Sequence, residues 1–228
     1  MVLLTRQEWR DVIFVHWPVD PAAVAPLLPS GVKPDLLDGR TYVGLVALRM
    51  CRVTAAALPP APYLSWFPEI NVRLYSVGPD GRQGVVFRSL DAARLPVVLA
   101  ARAAVRLPYE WSRMRIRHDG DAISYESRRR WPDHPGARLQ LTARIAEPVT
   151  KPSEFEEFVT ARWGLHQRWY RGRTMYLPVE HPRWPLRRAS LEKLDENLIA
   201  AAGLPPASGP PDSVLYSPGV PVTIRSRR

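Results

Sequence analysis

The sequence predicts one α+β domain built on a mostly antiparallel sheet, closed or strongly curved into a β-barrel, with a few peripheral helices. Three observations carry that prediction. Of 228 residues, 25 are proline, which cuts the chain into short elements and argues against a long helical bundle. Apolar runs with a period of two recur along the chain, several separated by Asp-Gly turn signals. Only a few segments carry a helical pattern, and no repeat or composition break divides 1–228, so a single domain is expected.

In order, Asp11 to Trp17 reads as a strand of β-formers. A short helix follows, with Asp20 as N-cap and Pro21 at its first position, ending at Pro29-Ser30-Gly31. Lys33–Leu37 and Thr41–Val53 flank Asp38-Gly39 as a hairpin. Ala55 to Pro62 reads as a loop. Phe67 to Val77 alternates, with Ile70, Val72 and Leu74 on one face and Glu69, Asn71 and Arg73 on the other. A turn at Pro79-Asp80-Gly81 leads to a strand from Gly84 to Leu90. Asp91 to Arg106 is the strongest helix pattern, with Asp91 as its cap. Trp111–Arg117 and Ala122–Arg130 form a second hairpin, and Arg138–Ala146 a further strand. Ser153 to Trp163 is an amphipathic helix with a capping box between Ser153 and Glu156. Trp169–Leu177 and Pro185–Leu191 read as strands, Leu194–Ala202 as a helix, and Val214–Tyr216 as a last short strand.

Composition excludes several classes. The 46% hydrophobic content supplies a core. With Cys51 alone, neither an intramolecular disulfide nor a cysteine metal site can form. The five histidines have no paired spacing, so no metal and no cofactor are expected. No run of about 20 apolar residues is present, and the first ten residues are too charged for a secretory signal, so the chain reads as cytoplasmic with no membrane span. The formal charge is +10, and only Lys33, Lys151 and Lys193 of the 32 basic residues are lysine. Composition alone speaks to solubility and non-specific association, so nucleic acid is disfavoured as a partner. The run Arg128-Arg129-Arg130 reads as solvated charge. Homo-oligomerisation is left open.

Several stretches occur together and in order: His16-Trp17-Pro18-Val19-Asp20-Pro21, Leu28-Pro29-Ser30-Gly31, Asp38-Gly39-Arg40 with Tyr42-Val43-Gly44-Leu45, Phe67-Pro68-Glu69-Ile70-Asn71-Val72-Arg73, Ser89-Leu90-Asp91-Ala92, Pro108-Tyr109, and His181-Pro182-Arg183-Trp184-Pro185-Leu186. As a set they resemble the YqjF-like family, a domain of unknown function in bacterial proteins of the acetoacetate decarboxylase superfamily. The resemblance implies a cone-like β-barrel with an apolar cavity. It also implies that Glu69 matches the decarboxylase's cavity glutamate, and that Leu107-Pro108-Tyr109-Glu110-Trp111 matches its Pro-Lys-Lys segment. Tyr109 then stands in place of the Schiff-base lysine and Glu110 in place of the second lysine. Tyrosine cannot form an imine, and a neighbouring glutamate raises rather than lowers an amine's pKa. Decarboxylation through an imine is therefore not expected.

The candidate catalytic residues are Glu69, as acid/base or orienting carboxylate, and Tyr109, as donor. The candidate substrate-binding residues are Asn71, Arg73, Asp91, Glu110, Arg113, Tyr125, His181 and Trp184. Arg73 has the geometry to clamp a carboxylate. For each, a packing or capping role competes with function; for Glu69, Asn71 and Arg73 the competing role is a polar solvent face. Two functions are expected: a small-molecule-binding barrel, whether or not it is an enzyme, for a carboxylate- or carbonyl-bearing molecule and without a Schiff-base lysine, or a non-enzymatic scaffold or protein-interaction module.

Overall fold

The computed structural model describes residues 2–55 and 59–226, with the side chains of 2, 3 and 226 left aside. The expected loop at Ala55–Pro62 therefore lies partly outside the described residues. Twelve strands form one sheet, and the helices are short. No helix among the described residues is long and apolar enough to cross a membrane.

The strands are β1 (Val2–Val19), β2 (Lys33–Pro34), β3 (Thr41–Ala55), β4 (Phe67–Val77), β5 (Gln83–Ala92), β6 (Tyr109–Asp119), β7 (Ala122–Trp131), β8 (Arg138–Pro148), β9 (Gly164–Arg168), β10 (Thr174–Glu180), β11 (Arg187–Glu196) and β12 (Ser213–Ser226). Helices α1 (Pro21–Val24), α2 (Leu95–Val105), α3 (Glu154–Thr160) and α4 (Leu198–Ala201) lie between them. Most pairings are antiparallel; β5 runs parallel to β6 and β9.

The pairings branch. One path runs β5-β6-β7-β8-β11-β12-β1-β3-β4 and returns to β5. A second runs β12-β1-β3-β4-β5-β9-β10 and returns to β12. Strands β12, β1, β3, β4 and β5 belong to both, so each has two covered faces. This explains their burial: β4 is buried at nine of eleven positions and alternates between two cores rather than between core and water. Ile13, Val15, Leu45, Ile70, Val72 and Leu74 enter a first core with Ile123, Tyr125, Leu139 and Leu141. Phe14, Val46, Phe67, Tyr75, Leu90 and Tyr109 enter a second, with Val98 of α2, Val159 of α3, and Trp184.

Close approach in this sheet depends on Gly219, which has φ 122° and where a Cβ would sit 1.9 Å from the Trp9 carbonyl oxygen. Only glycine lets β12 pass β1 there. Asp38 and Gly39, at φ 49° and 76°, make the expected tight turn, closed by the Leu37–Arg40 bridge. Yet Lys33–Pro34 pairs with β4, not β3, so the expected hairpin is replaced by a longer-range pairing.

Other boundaries differ for tertiary reasons. β1 and β12 run far beyond Asp11–Trp17 and Val214–Tyr216, because each finds partners along its length. The helix expected from Asp91 begins at Leu95, with Arg94 at its N-cap; Asp91 itself is paired with Glu110 in the β5–β6 ladder. Trp169–Gly172 is not strand but the connection between β9 and β10, turned at Arg171 and Gly172 with φ 56° and 72°. The segment Leu194–Glu196 extends β11 against β8, leaving only Leu198–Ala201 helical. The Asp20 cap and the Ser153–Glu156 capping box form as expected.

Candidate functional site

The polar face of β4 does not meet solvent. Glu69, Asn71, Arg73 and Tyr75 alternate with Ile70, Val72 and Leu74 and point into the second core; all four are buried. The reading of Glu69, Asn71 and Arg73 as a solvent face is thereby overturned, because β4 is covered on both sides.

At one end, the Tyr109 hydroxyl donates to Glu69 Oε2 at 2.9 Å. Tyr109 reaches this point because β6 starts parallel to β5, with Leu90 as its register partner. Burial pushes the Glu69 carboxyl up to about 7, against the hydrogen bonds from Tyr109 and Asn71, which pull it down. Burial, then the neighbouring Glu69, hold the Tyr109 phenol well above its ordinary value. Asn71 leaves its Oδ1 without a hydrogen-bond partner.

At the other end, Arg73 donates from Nη2 to the Val159 carbonyl at 3.0 Å and from Nε to the Tyr75 hydroxyl at 3.3 Å. Its guanidinium lies over the rings of Phe14 and Tyr75, at 5.4 and 5.5 Å. No carboxylate stands within ion-pair distance of Arg73 among the described residues, although it is only 7% exposed. The Tyr75 hydroxyl donates to Val159 at 2.8 Å and lies 2.8 Å from His16 Nε2. With that tyrosine proton committed, His16 donates from Nε2, and its Nδ1 is an acceptor with no partner. Burial, reinforced by the Arg73 charge, drives the His16 pKa far down, so the imidazole is neutral. Arg162 stacks over Tyr75 and Phe158 and pairs with Asp35.

Trp184 packs into the same core. It meets Phe14 edge-on at 5.1 Å and donates to the Thr160 carbonyl. His181 sits at the rim, against Trp9, Trp163 and Trp184, with Nε2 3.0 Å from the Arg162 carbonyl.

The other candidates lie elsewhere. Asp91 faces the first core, where its carboxylate takes Arg129 Nε and Nη2 at 2.9 and 2.7 Å and the Ser112 hydroxyl at 2.6 Å. It is an ion-pair partner and not a helix cap, and Arg129 is not solvated, unlike its neighbours in the arginine run. Glu110, on the same side, accepts from the Asp133 amide at 3.0 Å and lies 3.6 Å from Arg102; burial raises its pKa to about 7. Tyr125 is a core residue donating to the Asp11 carbonyl at 2.6 Å. Arg113 is exposed on the outer face of β6. The structure thus gathers Glu69, Asn71, Arg73, Tyr109 and Trp184, and separates Asp91, Glu110, Arg113 and Tyr125 from them.

Three polar side chains of this cluster were absent from the sequence candidates: Tyr75, His16 and Arg162. Tyr75 had a signal, since it continues the two-residue step from Glu69. His16 had only its place in the family-like segment His16–Pro21, and Arg162 had none, because their neighbours are distant in sequence. All three lysines are exposed, so none supplies a buried amine. Among the described residues, no three His, Cys, Asp or Glu side chains gather as a metal site.

Comparison with known proteins bears on this geometry. The chain is similar to the uncharacterized protein YqjF of Bacillus subtilis (strain 168), 33% identical over 204 residues, covering 89% of this chain and 83% of that protein. Its fold is similar to acetoacetate decarboxylase from Legionella pneumophila, with TM-score 0.65, 14% identity, and coverage of 98% and 85% of the two chains. It is also similar to the enduracididine biosynthesis enzyme MppR complexed with pyruvate, with TM-score 0.64, 13% identity, and coverage of 100% and 91%. At those identities the likeness is one of fold. A family model described as an uncharacterized conserved protein matches residues 6–221, and the chain belongs to that family, DUF2071.

Proposed function

We propose that the second circuit of strands acts as a barrel around a binding chamber for a small carboxylate- or carbonyl-bearing molecule. The observation that carries this reading is the content of one buried strand face. It presents a carboxyl poised at about 7, hydrogen-bonded to a neutral phenol, and a guanidinium without a carboxylate partner. A buried cation without a counter-ion is costly, and an entering carboxylate offsets that cost. Glu69 and Arg73 are four residues apart, about 13 Å of strand, so a small acid touches both only when the long Arg73 side chain swings from Tyr75 and Val159 toward Glu69.

Each group then has a role. Arg73 holds the ligand carboxylate, and Tyr109 donates a hydrogen bond to a carbonyl oxygen. Glu69, near 7, exchanges a proton with the adjacent carbon at neutral pH. Asn71 Oδ1 accepts from a ligand hydroxyl or enol. No imine forms, since no lysine is buried. MppR, the neighbour solved with pyruvate, shows that a protein of this fold accepts a 2-oxo acid.

Pyruvate is accordingly the first probe. Native mass spectrometry of the protein as purified, then calorimetric titration with pyruvate, is expected to reveal one bound small acid. Glu69→Gln and Tyr109→Phe should weaken it, and Arg73→Met should abolish it. Unchanged binding in both Glu69→Gln and Tyr109→Phe overturns the assignment. A protein that retains and takes up no small acid is the scaffold of the alternative reading.

A further inference from the structure

The outer face of β6, β7 and β8 presents a different chemistry from the chamber. Its register places Arg113 opposite Arg128, and Arg128 opposite Arg138, so three guanidinium groups form a row across adjacent strands. Strands are about 4.8 Å apart, and like charges directly opposite destabilise a sheet. Arg138 is neutralised by Asp195 at 3.1 Å. In the next row Glu126 is the register partner of Arg115 and lies 4.0 Å from Arg117, and further along Glu192 takes Arg144. Among the described residues that leaves Arg113 and Arg128 exposed with no facing carboxylate, and Arg115 exposed with Glu126 opposite it but not within ion-pair distance. They border an open groove of about 520 Å³, within the ~300–1,000 Å³ range of ligand sites.

One end of this row is aromatic. Trp111 and Trp131 are register partners on β6 and β7. Trp131 is 42% exposed, with the Arg102 guanidinium 5.6 Å from its ring centre. Arg130 covers Trp111 at 5.0 Å. An exposed indole two rungs along the strands from the Arg113–Arg128 pair suits a ligand that is both polyanionic and planar in its parts.

We propose that this face binds single-stranded nucleic acid, its phosphates on Arg113, Arg115 and Arg128 and a base stacked on Trp131. A lone anion would neutralise one or two of the three arginines. An acidic polypeptide would supply charge along its length but a flat ring only where it carries an aromatic side chain. An extended strand supplies both, and Arg113 and Arg115, two residues apart and thus about 6.7 Å along β6, follow its backbone. The groove offers charge and Trp131, beyond its lining, offers a stacking surface, so binding tolerates any sequence. The net charge of +10 strengthens the encounter. Composition alone disfavoured this partner; the segregation of charge and indole onto one face is what argues for it.

Fluorescence anisotropy of the full chain with a labelled oligothymidylate at physiological ionic strength tests this, with heparin as a polyanion lacking bases and polyglutamate as an acidic chain. The protein is expected to bind the oligonucleotide. Trp131→Ala should weaken that binding roughly tenfold, as loss of one stacked base implies, and leave heparin unaffected. The double variant Arg113→Gln/Arg128→Gln should reduce the salt slope by about 1.4, at about 0.7 per phosphate contact for a single strand. Both sites are exposed, and circular dichroism confirms that the variants fold. Absence of binding overturns the proposal, as does equal loss of heparin and oligonucleotide in Trp131→Ala. Tighter capture of polyglutamate than of oligothymidylate also overturns it and assigns the face to an acidic polypeptide.

Discussion

The Tyr109 hydroxyl donates to Glu69 Oε2 across 2.9 Å of buried space, joining the start of β6 to the start of β4. In the resemblance to acetoacetate decarboxylase, an amine would occupy the tyrosine's place. A phenol there changes the pair: it holds its own proton and stabilises the carboxylate it faces.

Stability should carry the signature of Glu69. Its folded pKa, about 7, is above its ordinary 4.5, so the folded state holds an extra proton between those values. This contribution is fully present below about 4.5 and is lost as pH rises through 7, some 3 kcal/mol in all at 1.36 kcal/mol per unit. His16 and His166, both lowered by burial, act oppositely and destabilise the fold as pH falls through the ordinary histidine range. The readout is therefore the difference between wild type and Glu69→Gln in urea denaturation. The variant should gain relative stability from pH 5 to pH 8; a constant difference refutes the buried titration.

Tyr109→Phe removes the donor that pulls the Glu69 pKa down. The carboxyl should then titrate at higher pH, seen as an upward-shifted midpoint of its infrared band in the difference spectrum from Glu69→Gln. At pH 8, loss of a hydrogen bond to a charged group should cost about 1.5–3 kcal/mol. An unmoved midpoint means the two groups do not share a proton environment.

The Asp91–Arg129 pair is almost fully buried and bidentate. Asp91→Asn or Arg129→Met should each destabilise by about 3–5 kcal/mol, because each strands a charge or polar group. The double variant Asp91→Leu/Arg129→Met should lose less than the sum of its singles. Additive losses in denaturant melts would show that the pair is uncoupled.

Ser153→Ala should cost about 1 kcal/mol, since its hydroxyl accepts the Glu156 amide while Glu156 accepts the Ser153 amide at 2.8 Å. Ser153→Asp should restore most of that loss in thermal melts. Failure of the aspartate to rescue would assign the loss to something other than the cap.

Local chemistry was legible wherever neighbours in sequence are neighbours in space. The Asp20 and Ser153 caps, the Asp38-Gly39 turn and the β6–β7 hairpin depend on a few adjacent residues. So does the two-residue alternation that places Glu69, Asn71 and Arg73 on one face. By itself the sequence determined a sheet-rich α+β chain and the sidedness of β4, and its motif order pointed to the family. That neither side of β4 meets water was decided only by tertiary structure, because the covering strands β9 and β10 and helices α2 and α3 lie further along the chain. The same holds for Arg73 without a carboxylate, for Asp91 claimed by Arg129 rather than by a helix, and for the row Arg113–Arg128–Arg138. Period two tells which residues share a face. It carries no information about what the rest of the chain lays over that face, and burial, pKa and charge pairing all follow from that covering.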